Sequence, residues 1–192
     1  NLGADLNERL ESTSDLLGNL LSWATSQLND ASLHSDKVDL HDIAEEQLHR
    51  IKGSAVAKGN SLLNKVKKGS VITADRDIIR FVIRNLVTNA NKFTSAGAIS
   101  VALEESEGLN RIVVADTGEG MSHEAIKALF NWNDRRTTAG TSGEKGSGLG
   151  LLIVRQFASQ YNGRLIIESE VGKGTKVAFE MAKDINTEPS SD

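Results

Sequence analysis

Asn85-Leu-Val-Thr-Asn89-Ala-Asn-Lys92-Phe93 places Asn85, Asn89 and Lys92 at i, i+4 and i+7, so a helix through this stretch carries all three on one face. Its other side holds Phe81, Val82, Ile83, Leu86 and Val87, an apolar face for a core. Asparagine is a poor helix former, and a face left to solvent would more naturally carry Glu, Lys or Gln. The polar face therefore reads as functional. Asp75 is the expected N-cap, with the helix running to about Asn91.

Helices and strands alternate around this helix from Val38 onward. Leu40, Ile43, Ala44, Leu48, Ile51 and Ala55 form a helical face capped by Asp39 and ending near Gly59. Leu62 to Val66 and Val71 to Thr73 read as short strands around the turn Lys67-Lys68-Gly69. Ile99 to Glu104 and Arg111 to Ala115 read as strands with Gly108-Leu-Asn110 between them. A short helix is expected from Ser122 to Phe130, then a polar stretch from Asn131 to Ser147 longer than ordinary connections. A helix over Leu149 to Tyr161, closed by Asn162-Gly163, precedes a hairpin of Arg164 to Glu170 and Lys176 to Met181 around Gly172-Lys-Gly174.

Two further blocks carry chemistry. Asp116 ends the apolar run Ile112-Val-Val-Ala115, where a carboxylate is partly desolvated and needs a donor; the exocyclic amine of adenine is one. Gly118 and Gly120 lack Cβ atoms and would let backbone approach a flat base. Gly146-Ser147-Gly148-Leu149-Gly150 leads into the last helix, whose free N–H groups attract phosphate. The alternatives are an ordinary Asp-Thr-Gly turn and a flexible linker; the coincidence with the asparagine helix favours one ATP pocket. Asn89 offers an amide oxygen to Mg²⁺, and Lys92 a point charge to phosphate. Arg135, Arg136 and Lys145 lie in the long polar stretch, available to neutralise transferring phosphate or simply solvated.

Ahead of these blocks, Leu6, Leu10, Thr13, Leu17, Leu20, Ala24, Gln27 and Ala31 recur at spacings of three and four, the seam of a coiled coil or bundle. Such a helix is expected to pack on a second helix or subunit, the alternative being its own globular domain. Expected divisions are a helical arm over 1–37, broken at His34-Ser-Asp-Lys37, an ATP-binding domain over 38–183 and a frayed tail over 184–192. A net charge of −4 and pI near 5.6 argue against nucleic acid as a partner. The chain has no cysteine, which excludes disulfides and thiolate metal sites and suits a reducing cytoplasm. No apolar run approaches a membrane span, and a membrane anchor in a longer parent is left open.

With these blocks the chain resembles the ATP-binding catalytic region of sensor histidine kinases, in the superfamily shared with gyrase, MutL and the heat-shock chaperone ATPases. Asn85 to Thr94 is similar to the family's N box, Phe93 included, Asp116 to Gly120 to its first glycine box, Phe130 to a remnant of its F box, and Gly146 to Leu151 to its second glycine box. Leu6 to Ala31 resembles the second arm of the dimerising hairpin. The resemblance implies an α/β (α+β) fold: a two-layer sandwich of mixed sheet and helices, of the Bergerat type. It implies ATP held with Mg²⁺ under a lid, phosphoryl transfer to histidine in a homodimer, and relay to a response-regulator aspartate.

Departures accompany the match. The F box is reduced to Phe130-Asn-Trp132, and Met121 stands where isoleucine is usual. No histidine occupies the family's acceptor context: His41 lacks the following Arg and Pro and falls in the first turn of a domain helix, and His34, His49 and His123 read as surface or cap residues. The acceptor is expected upstream of Asn1. In gyrase-like ATPases a glutamate four residues before the metal-binding asparagine activates water; here that position is Asn85, and an amide is no general base at neutral pH. Rival readings are an ATPase clamp or a pseudokinase scaffold pairing through its first helix.

Overall fold

The computed structural model describes residues 35–129, 140–142 and 149–183. Residues 1–34 of the expected helical arm, the tail over 184–192, and Phe130, Trp132, Arg135, Arg136, Lys145, Gly146, Ser147 and Gly148 lie outside the described residues. Among the described residues the elements run β1 Asp36–Asp39, α1 Leu40–Ala57, β2 Ser61–Asn64, β3 Val71–Ala74, α2 Arg76–Lys92, β4 Ala98–Ser106, β5 Leu109–Asp116, α3 His123–Leu129, α4 Gly150–Gln160, β6 Leu165–Glu170 and β7 Gly174–Ala182.

Strands β2-β4-β5-β7-β6 form the main sheet, with β2 parallel to β4 and the other pairs antiparallel. The mixed sheet with helices on one face is the expected two-layer sandwich. Strand alternation explains the layering: Ile99 and Val101, Ile112 and Val114, and Phe179 and Met181 are all buried and face the helices. Leu40, Ile43 and Ala44 of α1, Ile79, Val82, Ile83 and Leu86 of α2, and Ile153, Val154, Phe157 and Ala158 of α4 close the same core. Opposite, Arg111 and Arg164 grip the buried Glu180 carboxylate at 2.7 and 3.0 Å.

Both expected N-caps form: Asp39 accepts from the N–H groups of His41 and Asp42, and Asp75 from those of Asp77 and Ile78. Asp75 also donates its own N–H to the Tyr161 hydroxyl at 2.8 Å, and burial pushes that phenol up to about 12. Two local readings are corrected. The second half of the expected polar break opens β1, which pairs antiparallel with β3; the strand's one apolar residue, Val38, is fully buried but too little for a period-two signal. β2 and β3 do not form a hairpin, because β2 joins β4 in parallel and a parallel pair needs a crossover, which β3 and α2 supply.

Candidate nucleotide site

Register fixes where Asp116 points. Residues 112, 114 and 116 share the helix-facing side of β5, and at the sheet's end Asp116 lies in a row with Ile99, Thr175 and Ser169. Asp116 Oδ1 accepts the N–H of Gly118 at 2.9 Å and of Thr175 at 3.2 Å. No hydrogen bond among the described residues falls on Oδ2. Burial pushes the carboxyl above its ordinary value of 3.8, against those two N–H groups and the nearby Thr94 hydroxyl. That hydroxyl lies near Asp116 but outside bonding geometry: Thr94 is fully buried and its Oγ1 makes no hydrogen bond among the described residues.

The loop after Asp116 is stitched to the end of α2 and to the last hairpin. Glu119 N–H donates to Phe93 O at 3.0 Å, and Gly172 N–H to Glu119 O at 2.7 Å. Met121 N–H donates to Ser169 Oγ at 2.8 Å. These contacts supply a different reason for the two glycines than approach to a base. A Cβ on Gly118 would strike Phe93 O and the Thr94 hydroxyl, and one on Gly120, at φ +65, would strike Glu170 O. The fold itself requires both.

The third block reaches α2 from the other side. Gly150 opens α4 directly against Asn85, so that a Cβ there would strike Asn85 Oδ1. Asn85 Nδ2 donates to Phe81 O at 2.9 Å, which turns its amide oxygen toward the α4 N-terminus. Leu149 is the N-cap and gives no side-chain cap bond to the N–H groups that open α4. Asn89, half-buried one turn beyond Asn85, makes no side-chain hydrogen bond among the described residues. Lys92 Nζ stands 4.8 Å from the Phe93 ring centroid, a cation–π distance.

Asn85, Asn89, Lys92, Phe93, Gly118, Leu149 and Gly150 are thus gathered along the C-terminal half of α2, with Asp116 and Gly120 alongside at the end of β5 and in the loop after it. Sequence reasoning missed the residues that hold this frame. Asn60 Nδ2 donates to Asn91 Oδ1 at 3.0 Å and to Thr94 O at 2.9 Å, and Asn60 Oδ1 accepts Gly97 N–H at 3.1 Å. Asn91 Nδ2 donates in turn to Ser54 Oγ at 3.1 Å. Asn60 and Asn91 are buried, and buried amides need such partners. A signal existed: Asn91 falls on the apolar side of a helix whose other asparagines face the site.

His41 is engaged inside the fold, with Nδ1 2.9 Å from Val66 O. It sits in the first turn of α1, as expected. No group of three or more candidate metal ligands of the His, Cys, Asp and Glu type occurs among the described residues; a site built on an asparagine amide and phosphates is outside that pattern. No helix of the described residues is long and apolar enough to cross a membrane.

A strand-end carboxylate, an asparagine-bearing helix and the N-terminus of α4 thus meet on one side of an α/β sandwich. Residues 74–185 match the histidine kinase-, DNA gyrase B- and HSP90-like ATPase family, and the chain belongs to it. Within that family it is an ATP-binding domain of the sensor histidine kinase kind. It is 30% identical to the histidine protein kinase DivJ of Caulobacter vibrioides over 169 residues, 87% of this chain and 28% of DivJ. The chain therefore spans less than a third of that relative. The histidine kinase AdeS of Acinetobacter baumannii superposes with a TM-score of 0.75 at 18% identity, over 96% of this chain and 85% of that one. Full-length ShkA in complex with AMPPNP gives 0.73 at 26% identity over 94% and 37%. ThkA in complex with the response regulator TrrA gives 0.70 at 20% identity over 96% and 52%.

Proposed function

We propose that this chain is the catalytic part of a two-component histidine kinase: it holds Mg-ATP and donates the γ-phosphate to a histidine on a dimerising hairpin, for relay to a response-regulator receiver domain. The observation that carries the reading is Asp116, a desolvated carboxylate with one oxygen held by two backbone N–H groups and the other open to an adenine amine. Asn89, with its amide unengaged among the described residues, would hold Mg²⁺, whose role is to neutralise phosphate charge. Lys92 and the α4 N-terminus would orient the phosphates, and Arg135, Arg136 and Lys145 would add charge stabilisation.

No general base against water is supplied by Asn85, whose nitrogen donates to Phe81 O. This favours transfer over hydrolysis. Catalysis would rest on positioning and charge stabilisation. The AMPPNP complex of ShkA and the TrrA complex of ThkA support nucleotide and receiver-domain partners. Homodimerisation would use the helical arm of residues 6–31, and the domain divisions at 38 and 183 belong to the same proposal. The test supplies an acceptor hairpin and radiolabelled ATP: Asn89→Ala is expected to label it at least about tenfold more slowly than wild type. Equal labelling would remove Asn89 from the mechanism.

A further inference from the structure

A helix ends on carbonyls that it cannot satisfy itself, and at the end of α2 groups from distant segments take them. The Lys58 ammonium donates to Asn91 O at 2.7 Å and to Lys92 O at 2.9 Å. Lys92 O also receives the Thr141 N–H at 3.0 Å and the Thr141 hydroxyl at 3.1 Å. Three donor groups on one carbonyl, one of them cationic, make Lys92 O a junction between the end of α1, the end of α2 and the segment between α3 and α4. Thr141 stands in sequence between Arg136 and Lys145.

The place is chemically awkward for an anion. A helix C-terminus carries partial negative charge, yet Lys92 and Phe93 belong to the candidate phosphate and nucleotide face. Lys58 offsets that charge without leaving the backbone. We propose that Lys58 and Thr141 are positioning residues for the nucleotide site, clamping Lys92 O so that the last turn of α2 and residues 140–142 keep one arrangement. The role of this clamp in nucleotide binding rests on the ATP reading above. The clamp itself does not, since it is a property of the ligand-free protein.

The experiment has two arms. Amide hydrogen exchange on the nucleotide-free chain is expected to find the Thr141 N–H protected at least about tenfold in wild type, with protection reduced in Lys58→Met. An unprotected Thr141 amide would overturn the clamp, whatever ATP does. Mg-ATP titration is expected to weaken about three- to tenfold in Thr141→Val and in Lys58→Met, the range set by loss of the one side-chain hydrogen bond each makes to Lys92 O. Thr141→Ser should restore affinity to within about twofold, and the double variant should lose less than the product of the singles. Melting temperatures of the threonine variants should stay close to wild type, which separates positioning from stability. Wild-type affinity in both single variants, or fully multiplicative losses, would overturn the positioning role. A protected amide in a chain that binds no Mg-ATP would sink the ATP reading and this role together, while leaving the clamp standing.

Discussion

The two ends of α2 are built on opposite principles. At the N-terminus Asp75 caps the N–H groups of Asp77 and Ile78, its own near neighbours, with Tyr161 added from the C-cap of α4. At the C-terminus the Phe93 N–H reaches back to Asn89 O, but the other supporting groups come from far along the chain: Lys58, Asn60, Glu119 and Thr141. The candidate site lies on the second end. Local chemistry suffices to start a helix, whereas holding several ligand-directed side chains in one arrangement draws on separate loops, and each loop can then respond to what is bound.

Damage at the two ends should therefore have different consequences. Asn91→Ala leaves Asn60 and Ser54 short of a buried partner and is expected to cost about 2 kcal/mol, read as a lowered denaturation midpoint, with weaker Mg-ATP binding. Asp75→Ala should cost about 1 kcal/mol while Mg-ATP affinity stays within about twofold of wild type; a large affinity loss there would erase the distinction between the ends. Arg164→Ala removes an exposed partner of Glu180, which keeps Arg111, and should cost under about 1 kcal/mol with no change in binding.

Much of α2 was legible because its signals are short-range. A cap at Asp75, the apolar positions from Ile79 to Val87 and the spacing of Asn85, Asn89 and Lys92 all fall within eighteen residues. The sheet was legible as strands but not as topology: β1 has one buried apolar residue, and nothing local tells β2 to seek β4 rather than β3. Asp116, Gly118 and Gly120 were found as a motif, yet the cause of the glycines lay in Phe93 O and Glu170 O, contacts that no pattern prints. The roles of Lys58, Asn60, Thr141 and Thr175 were invisible for the same reason, their partners standing 31 to 59 residues away.

Asp116 ties function to stability with opposite signs. Its folded pKa is raised above the unfolded value, so the stability contributed by the protonated form is lost as pH rises from the unfolded value through the folded one. At neutral pH the ionised carboxylate burdens the fold, and Asp116→Asn should melt no lower than wild type. Nucleotide binding needs the ionised acceptor, so affinity should fall on acidification at a pH above the ordinary aspartate value.

Calorimetric titration of Mg-ATP into wild type and Asp116→Asn at neutral pH decides whether Asp116 receives the adenine. One site per chain is expected in wild type and at least about tenfold weaker binding in the variant, the loss of a charge-assisted bond, with the melting temperature kept or raised. Equal binding by the two proteins, or none by wild type, would contradict that role.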